Sequence, residues 1–406
     1  MPKLKSNKII LSCVFVTILI DMLGISILIP IYPQLSSIIF TNNHTDSYFI
    51  VAWLVSIYSF AQFIFSPILG QLSDKYGRRR ILIFSISITA FSYLLFAYGL
   101  YTANLPLLFV ARVIDGASGG NISIASSVIG DISNNENRPK NFALVGIAIG
   151  LGFVLGPVVG GVLSHHFNIL TPFYLTALLA FANLSFVAKY LPETNHNINQ
   201  SKLNPYKSIS NIYQAFTVRR FFCLILVLFM FNLGFALFSM FWPIVLQEKF
   251  SYDSSQIGIF FGYLGLMILL SQGMFVRRLS GKVQDYKVIF VALAMVSLAI
   301  FGFSHVTLHS LDWMYMYSFI LALGVALCKS FSSSLIARIT PSNQLGVTMG
   351  INYSWIALAS SMPPLLIYYI SLSLANIIML SYILIVLGLI IYIATYKVII
   401  GSEHHP

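Results

Sequence analysis

Charge is what this chain has least of. Only 9% of its 406 residues are Asp, Glu, Lys or Arg, where soluble proteins carry about 25%. With 58% hydrophobic residues and a mean hydropathy of +0.85, the apolar surface exceeds what a protein core absorbs, so lipid must solvate the rest. Cysteine is scarce as well. Cys13, Cys223 and Cys328 all lie inside apolar runs, with no CxxC pair and no His/Cys cluster, which argues against a disulfide framework or a zinc site. Acidic residues number 12 against 23 basic ones, a net charge of +11. The excess does not indicate nucleic acid, because the cations stand in short clusters between apolar runs, the pattern of membrane topology. Nucleotide-binding loops and catalytic constellations are missing too, so an enzyme is not expected.

Long hydrophobic runs are what the chain has instead. A spanning helix needs about 20 apolar residues. Twelve such runs occur, from roughly 9–30 at the start to 345–370 and 374–397 at the end. They are continuous rather than alternating, which selects helices over a barrel. The opening MPKLKSNK and its apolar run have the outline of a signal peptide, but the run passes Asp21 and reaches Pro30 without a small-residue cleavage site. It is read as a retained first span. With the N-terminus placed inside, one side of the membrane receives the lysines before residue 9, Lys75 with Arg78–Arg80, Arg138 with Lys140, and the cations of 189–220. Arg277 to Lys287, Arg338 and Lys397 join them, and Lys249 alone falls opposite. The positive-inside rule then makes both termini cytoplasmic. The longest polar stretch lies in mid-chain. The expected fold class is therefore an all-α integral membrane protein of twelve transmembrane helices in two pseudo-symmetric six-helix bundles. These are 1–190 and 221–398, with a cytoplasmic linker at 191–220 and a cytoplasmic tail at 399–406.

Between the second and third runs, residues 70–80 read GQLSDKYGRRR. Gly70 and Gly77 allow close packing and a turn, Asp74 suits a helix N-terminus or an arginine, and Arg78–Arg80 anchor the cytoplasmic side. The fifth run contains GIAIGLGFVLGPVVGG. Its small residues four apart permit close helix approach, and Pro157 frees a carbonyl and bends the helix. The first segment resembles the signature shared by major facilitator transporters at every defined position. The second, through Gly152, Gly156, Pro157, Gly160 and Gly161, resembles the signature of that superfamily's proton-coupled antiporters. Together with LIDMLGISILIPIYPQL in the first helix, FVARVIDGASGGN in the fourth and LPET at 191–194, these segments look most like the tetracycline and multidrug exporters. The resemblance covers the N-terminal half and weakens in the C-terminal half. It implies the major facilitator fold, and for Gly70, Asp74, Gly77 and Arg78 a conformational latch. Tetracycline exporters carry an aspartate in the third helix where this chain has Ser92, which counts against tetracycline as substrate.

Ionisable residues within spans are expensive and mark function. Four lie near mid-span: Asp21, Arg112, Asp115 and Lys329. Arg112 and Asp115, three apart, share a helix face. The resemblance places helices one, four, seven and ten around the central cavity, and so all four of these residues on its lining. Asp21 is the candidate proton carrier, the alternative being a static Asp21–Arg112 ion pair. Asp115 is a second candidate carrier or simply the neutraliser of Arg112. Lys329, followed by Ser330 and Ser332–Ser334, is a candidate clamp for an anionic group, the alternative being a snorkelling or paired lysine. Asn232, Trp242, Asn352 and Trp355 are the other candidate substrate-cavity residues, in a chain whose 33 phenylalanines serve mostly in packing.

The expected function is secondary active transport by alternating access, as a proton-coupled antiporter exporting a drug-like or amphipathic molecule. The alternatives are export of an endogenous anion such as a carboxylate siderophore, and proton-coupled uptake, which the Pro157 signature disfavours. The expected partners are a small-molecule substrate, protons and membrane lipid, without nucleic acid. No cofactor is expected beyond the proton motive force, and the resemblance implies a monomer in a bacterial cytoplasmic (inner) membrane.

Overall fold

The computed structural model describes residues 2–39, 44–133, 138–195, 219–307, 311–339, 345–370 and 374–400. Every regular element among them is helical, as a chain immersed in lipid requires, since a helix satisfies its backbone groups internally. Eleven stretches of the described residues are long and apolar enough to cross a membrane. The remaining expected span, 345–370, is two shorter helices, Leu345–Ser361 and Pro363–Ile370. Pro363 lacks the N–H that would continue the ladder and disfavours helical backbone at Met362. Most of the expected linker and nearly all of the tail lie outside the described residues.

Contacts divide the chain into two units, Met1–Pro205 with Tyr252–Gly262, and Tyr206–Ser251 with Tyr263–Pro406. The first contains α1 (Pro2–Ser26), a 3-10 turn (Ile29–Ile31), α2 (Tyr32–Ile39), α3 (His44–Tyr76) and α4 (Arg78–Tyr101). It continues with α5 (Leu105–Ser118), α6 (Asn121–Ile132), α7 (Arg138–His166) and α8 (Thr171–Tyr190). Residues Tyr252–Gly262, which open the helix Ser254–Ser271, complete it. Helix α1 is central to this unit and packs on α6, α7 and α8. Cys13, Val14 and Ile18 of α1 meet Leu82 and Ile86 of α4, Ile124 and Val128 of α6, and Ala148 of α7. Phe84, Phe91 and Leu178 point outward and are more than half exposed, an apolar exterior suited to acyl chains.

The seam between α1 and α7 is built on glycine. A Cβ at Gly152 would strike Met22, one at Gly156 would strike Ser26, and one at Gly160 would strike the Ile27 carbonyl. The backbones therefore approach closely enough for Ser26 Oγ to donate to the Gly152 carbonyl at 2.9 Å. The same logic draws Tyr252–Gly262 into the first unit, where Gly161 faces the Ser254 carbonyl and Gly258 faces the Pro157 carbonyl.

The second unit holds α9 (Arg219–Phe250) and the later part of the next helix, here α9b (Ser254–Ser271), which runs into a π-turn at Gln272–Val276. It continues with α10 (Asp285–His305), α11 (Leu311–Ile339), α12 (Leu345–Ser361), α13 (Pro363–Ile370) and α14 (Leu374–Ile400). Helix α9 packs on α14, and α10 on α11. Gly234 brings α9 against α14, and Ser381 Oγ donates to its carbonyl at 2.6 Å. The core is aromatic, with Phe231, Phe238, Trp242 and Phe303 fully buried.

Candidate functional site

The fourth expected span is not one continuous helix. Helix α5 ends at Ser118 and α6 begins at Asn121, with Gly119 and Gly120 between them. The interruption is held by side chains. Gln62 Nε2 donates to the Gly119 carbonyl at 2.9 Å, and Ser118 Oγ donates to the Asp115 carbonyl at 2.8 Å. The break turns Asn121 toward α1, where its Nδ2 donates to Asp21 Oδ1 at 3.1 Å. The other carboxylate oxygen, Asp21 Oδ2, is buried and has no hydrogen-bond partner among the described residues.

Arg112 is satisfied elsewhere. Its Nη1 donates to Asp115 Oδ2 at 2.9 Å, in a pair whose side chains are 4% and 6% exposed. Its Nε donates to the Leu54 carbonyl at 3.3 Å, and its guanidinium lies 4.5 Å from the centre of the Tyr58 ring. The carboxylate that Arg112 takes is thus its neighbour one turn away, and no Asp21–Arg112 ion pair forms. Ser92 lines the same narrow crevice as Arg112 and Asp115. Asp21 and the Arg112–Asp115 pair therefore share no hydrogen bond or ion pair.

The signature loop is a compact ionic junction. Gly77 has φ +98°, a backbone conformation that glycine alone adopts freely, and a Cβ there would meet the Glu193 carboxylate. Glu193 accepts the backbone N–H of Arg78 at 2.8 Å and of Arg79 at 3.2 Å, capping α4, whose N-terminus favours negative charge. Arg78 binds Asp74 at 2.5 Å, Asp131 at 3.3 Å and Ser73 Oγ at 2.6 Å. Gly70 stands one helical turn before Ser73, whose Oγ donates to its carbonyl at 2.8 Å.

In the second unit, Lys329 is exposed on α11 and makes no ion pair with that unit's described carboxylates. Its Nζ lies 5.5 Å from the centre of the Phe235 ring. The serines around it are engaged: Ser332 and Ser333 donate back to the Lys329 carbonyl, and Ser334 donates to Asp285 at 2.9 Å. Asn232 is buried and donates to the Leu228 carbonyl of its own helix at 2.7 Å. Asn352 is buried, and Trp355 meets Phe229 edge-on at 5.5 Å. Trp242 sits inside the aromatic core, stacked on Phe238 at 5.5 Å and edge-on to Phe303 at 4.8 Å.

A family model described as Major Facilitator Superfamily matches residues 14–364. The chain belongs to this superfamily. Among curated proteins, the class H tetracycline resistance protein of Pasteurella multocida is 27% identical over 71% of this chain and 71% of its own length. The class B tetracycline resistance protein of Escherichia coli is 27% identical over 86% of this chain and 85% of its own. Among solved structures, the human organic anion transporter MFSD10 (TETRAN) superposes with a TM-score of 0.73 at 22% identity, over 95% of this chain and 99% of its own. The chain is accordingly an integral membrane transporter with the fold of this superfamily.

Several partners were invisible in the one-dimensional pattern. Asn121 is one polar residue after a Gly-Gly pair, and the break between α5 and α6 turns it toward Asp21. Tyr58 and Gln62 are ordinary residues of an apolar run. Glu193 was readable as part of LPET, but its role as the cap of α4 links positions 115 residues apart.

Proposed function

We infer that this transporter is a proton-coupled antiporter that exports an amphipathic small molecule by alternating access. The observation that carries the reading is Asp21: a half-buried carboxylate with one oxygen held by an amide and the other, itself buried, without a partner among the described residues. Such a group takes up and releases a proton without breaking an ion pair, whereas Asp115 is already neutralised by Arg112. Protonation removes the charge that is costly to keep at mid-membrane. One charge crossing 100 mV supplies about 2.3 kcal/mol, before any pH gradient. The likeness to tetracycline resistance proteins supports export, and Ser92 in the crevice beside Asp115 favours a substrate other than tetracycline. In this reading both termini and the segment around Asn195 face the cytoplasm, and a reporter inserted after Asn195 stays on the side of the termini.

The test uses purified protein in proteoliposomes with an imposed proton gradient. Asp21→Asn keeps the shape but carries no proton. Gradient-driven transport is expected to vanish while energy-independent exchange persists. Unchanged gradient-driven accumulation in the variant removes Asp21 from the coupling mechanism.

A second reading, export of an organic anion, is favoured by Lys329, a cation without a carboxylate partner among the described residues of its own unit. An anionic substrate group supplies that partner.

A further inference from the structure

A cleft of about 520 Å³ opens at the end of the first unit, where α3 turns into α4 and α8 stops. Neither the buried carboxylates nor Lys329 contributes to it, and the proposed transport cycle makes no use of it. Tyr76, Arg79, Arg80, Lys189, Tyr190 and Glu193 are among the residues that line it. The single carboxylate is already committed. Glu193 accepts the N–H groups of Arg78 and Arg79, and also those of Thr194 and Asn195 at 3.1 and 3.0 Å.

The three cations have no such commitment. Among the described residues, none of Arg79, Arg80 and Lys189 takes part in an ion pair. Arg79 is positioned by the Ala188 carbonyl, to which its Nη2 donates at 2.6 Å. Lys189 Nζ lies 5.2 Å from the centre of the Tyr190 ring. Tyr76 and Tyr190 are 47% and 44% exposed, the disposition of rings that sit at the headgroup level of a bilayer. The cleft is thus a positively charged, ring-bordered concavity at the mouth of a helix bundle, and it is far roomier than a bare phosphate needs.

We propose that this cleft binds the phosphate-bearing headgroup of an anionic phospholipid from the leaflet on the cation-rich side. The guanidinium and ammonium groups supply charge-assisted hydrogen bonds to phosphate oxygens. The tyrosines border the glycerol region, and the acyl chains lie along the apolar exterior of the unit. Basic pockets between membrane helices recognise anionic headgroups in this way.

The experiment titrates full-length protein in detergent with phosphatidylglycerol and with phosphatidylcholine, following retained lipid by native mass spectrometry and stability by thermal unfolding. Phosphatidylglycerol is expected to be retained and to raise Tm, and phosphatidylcholine to do neither. The double variant Arg80→Gln with Lys189→Gln, both on exposed side chains, weakens retention of phosphatidylglycerol about thirtyfold, equivalent to about 2 kcal/mol. The charge-keeping variant Arg80→Lys with Lys189→Arg restores most of it. Arg277→Gln with Arg278→Gln, which removes the same charge from the second unit, leaves retention unchanged. Equal loss in both charge-removing variants reduces the site to general attraction, and no loss in the Arg80/Lys189 variant removes it altogether. Competition by glycerol phosphate at concentrations equal to the lipid's assigns the cleft to a soluble anion and overturns the lipid assignment.

Discussion

The two units carry the same ionic junction with its charges exchanged. In the first, an arginine opens α4 (Arg78) and acids close α3 (Asp74) and lie near the end of α6 (Asp131). In the second, the acid opens α10 (Asp285) and the arginine lies near the end of α11 (Arg338), with Nε 3.2 Å from Oδ2. A helix start and a neighbouring helix end are joined by an ion pair in both, with the signs reversed. The environments differ. Arg78 is 11% exposed and has three side-chain partners, whereas Arg338 is 56% exposed.

The interiors diverge further. At mid-span the first unit buries the Arg112–Asp115 pair beside the half-buried Asp21, among small and hydroxyl-bearing residues, while the second buries aromatic rings and carries the exposed Lys329. Under the proposed function, this separates proton chemistry from substrate binding: the first unit titrates and the second supplies an apolar site with one cation.

Further variants sharpen or break that comparison. The largest effect is expected from Asp115→Asn, which leaves Arg112 buried without its countercharge and costs about 3–5 kcal/mol, read as a lowered Tm in lipid. Arg112→Met combined with Asp115→Leu should recover most of that loss, because it removes both charges together. A single variant as stable as the parent would mean that the pair is solvated, and the contrast between interiors would fail.

Lys329→Met comes next. It is expected to leave stability unchanged and to weaken transport of carboxylate-bearing substrates roughly 10- to 150-fold, the equivalent of about 1.5–3 kcal/mol for a charge-assisted hydrogen bond. Cationic dyes should be transported as before. Equal loss for both substrate kinds makes the lysine structural and ends the anion reading.

The smallest effects belong to the junctions. Arg78→Gln is expected to cost about 1–3 kcal/mol, since it strips several charge-assisted bonds from a largely buried guanidinium. Arg338→Gln should cost about 1 kcal/mol or less, because solvent screens an exposed cation. Thermal unfolding that ranks the two variants the other way round would show that exposure does not govern these junctions.

Hydropathy alone determined that the chain is a helical membrane protein, because only helices or closed barrels satisfy the backbone in lipid and the runs do not alternate. The signature loop and the glycine-rich helix were likewise legible, since turns and close approaches demand glycine whatever surrounds them. The eleventh run was expected as one span, 345–370, and only the structure shows it divided at Met362–Pro363 into two helices. Tertiary structure decided the rest. The sequence left both Asp21 and Asp115 open as partners of Arg112, and the fold takes the one three residues along the same helix. The Gly119–Gly120 break then turned Asn121 to Asp21 and left one oxygen without a partner. Trp242 and Trp355 look alike in sequence, yet Trp242 is locked into the aromatic core while Trp355 is partly exposed. Ser332 and Ser333, which in sequence offer hydroxyls around Lys329, spend them on their own helix. Periodicity reports which residues are apolar. Which polar group meets which depends on helix breaks and side-chain direction, and those are settled only when the helices pack.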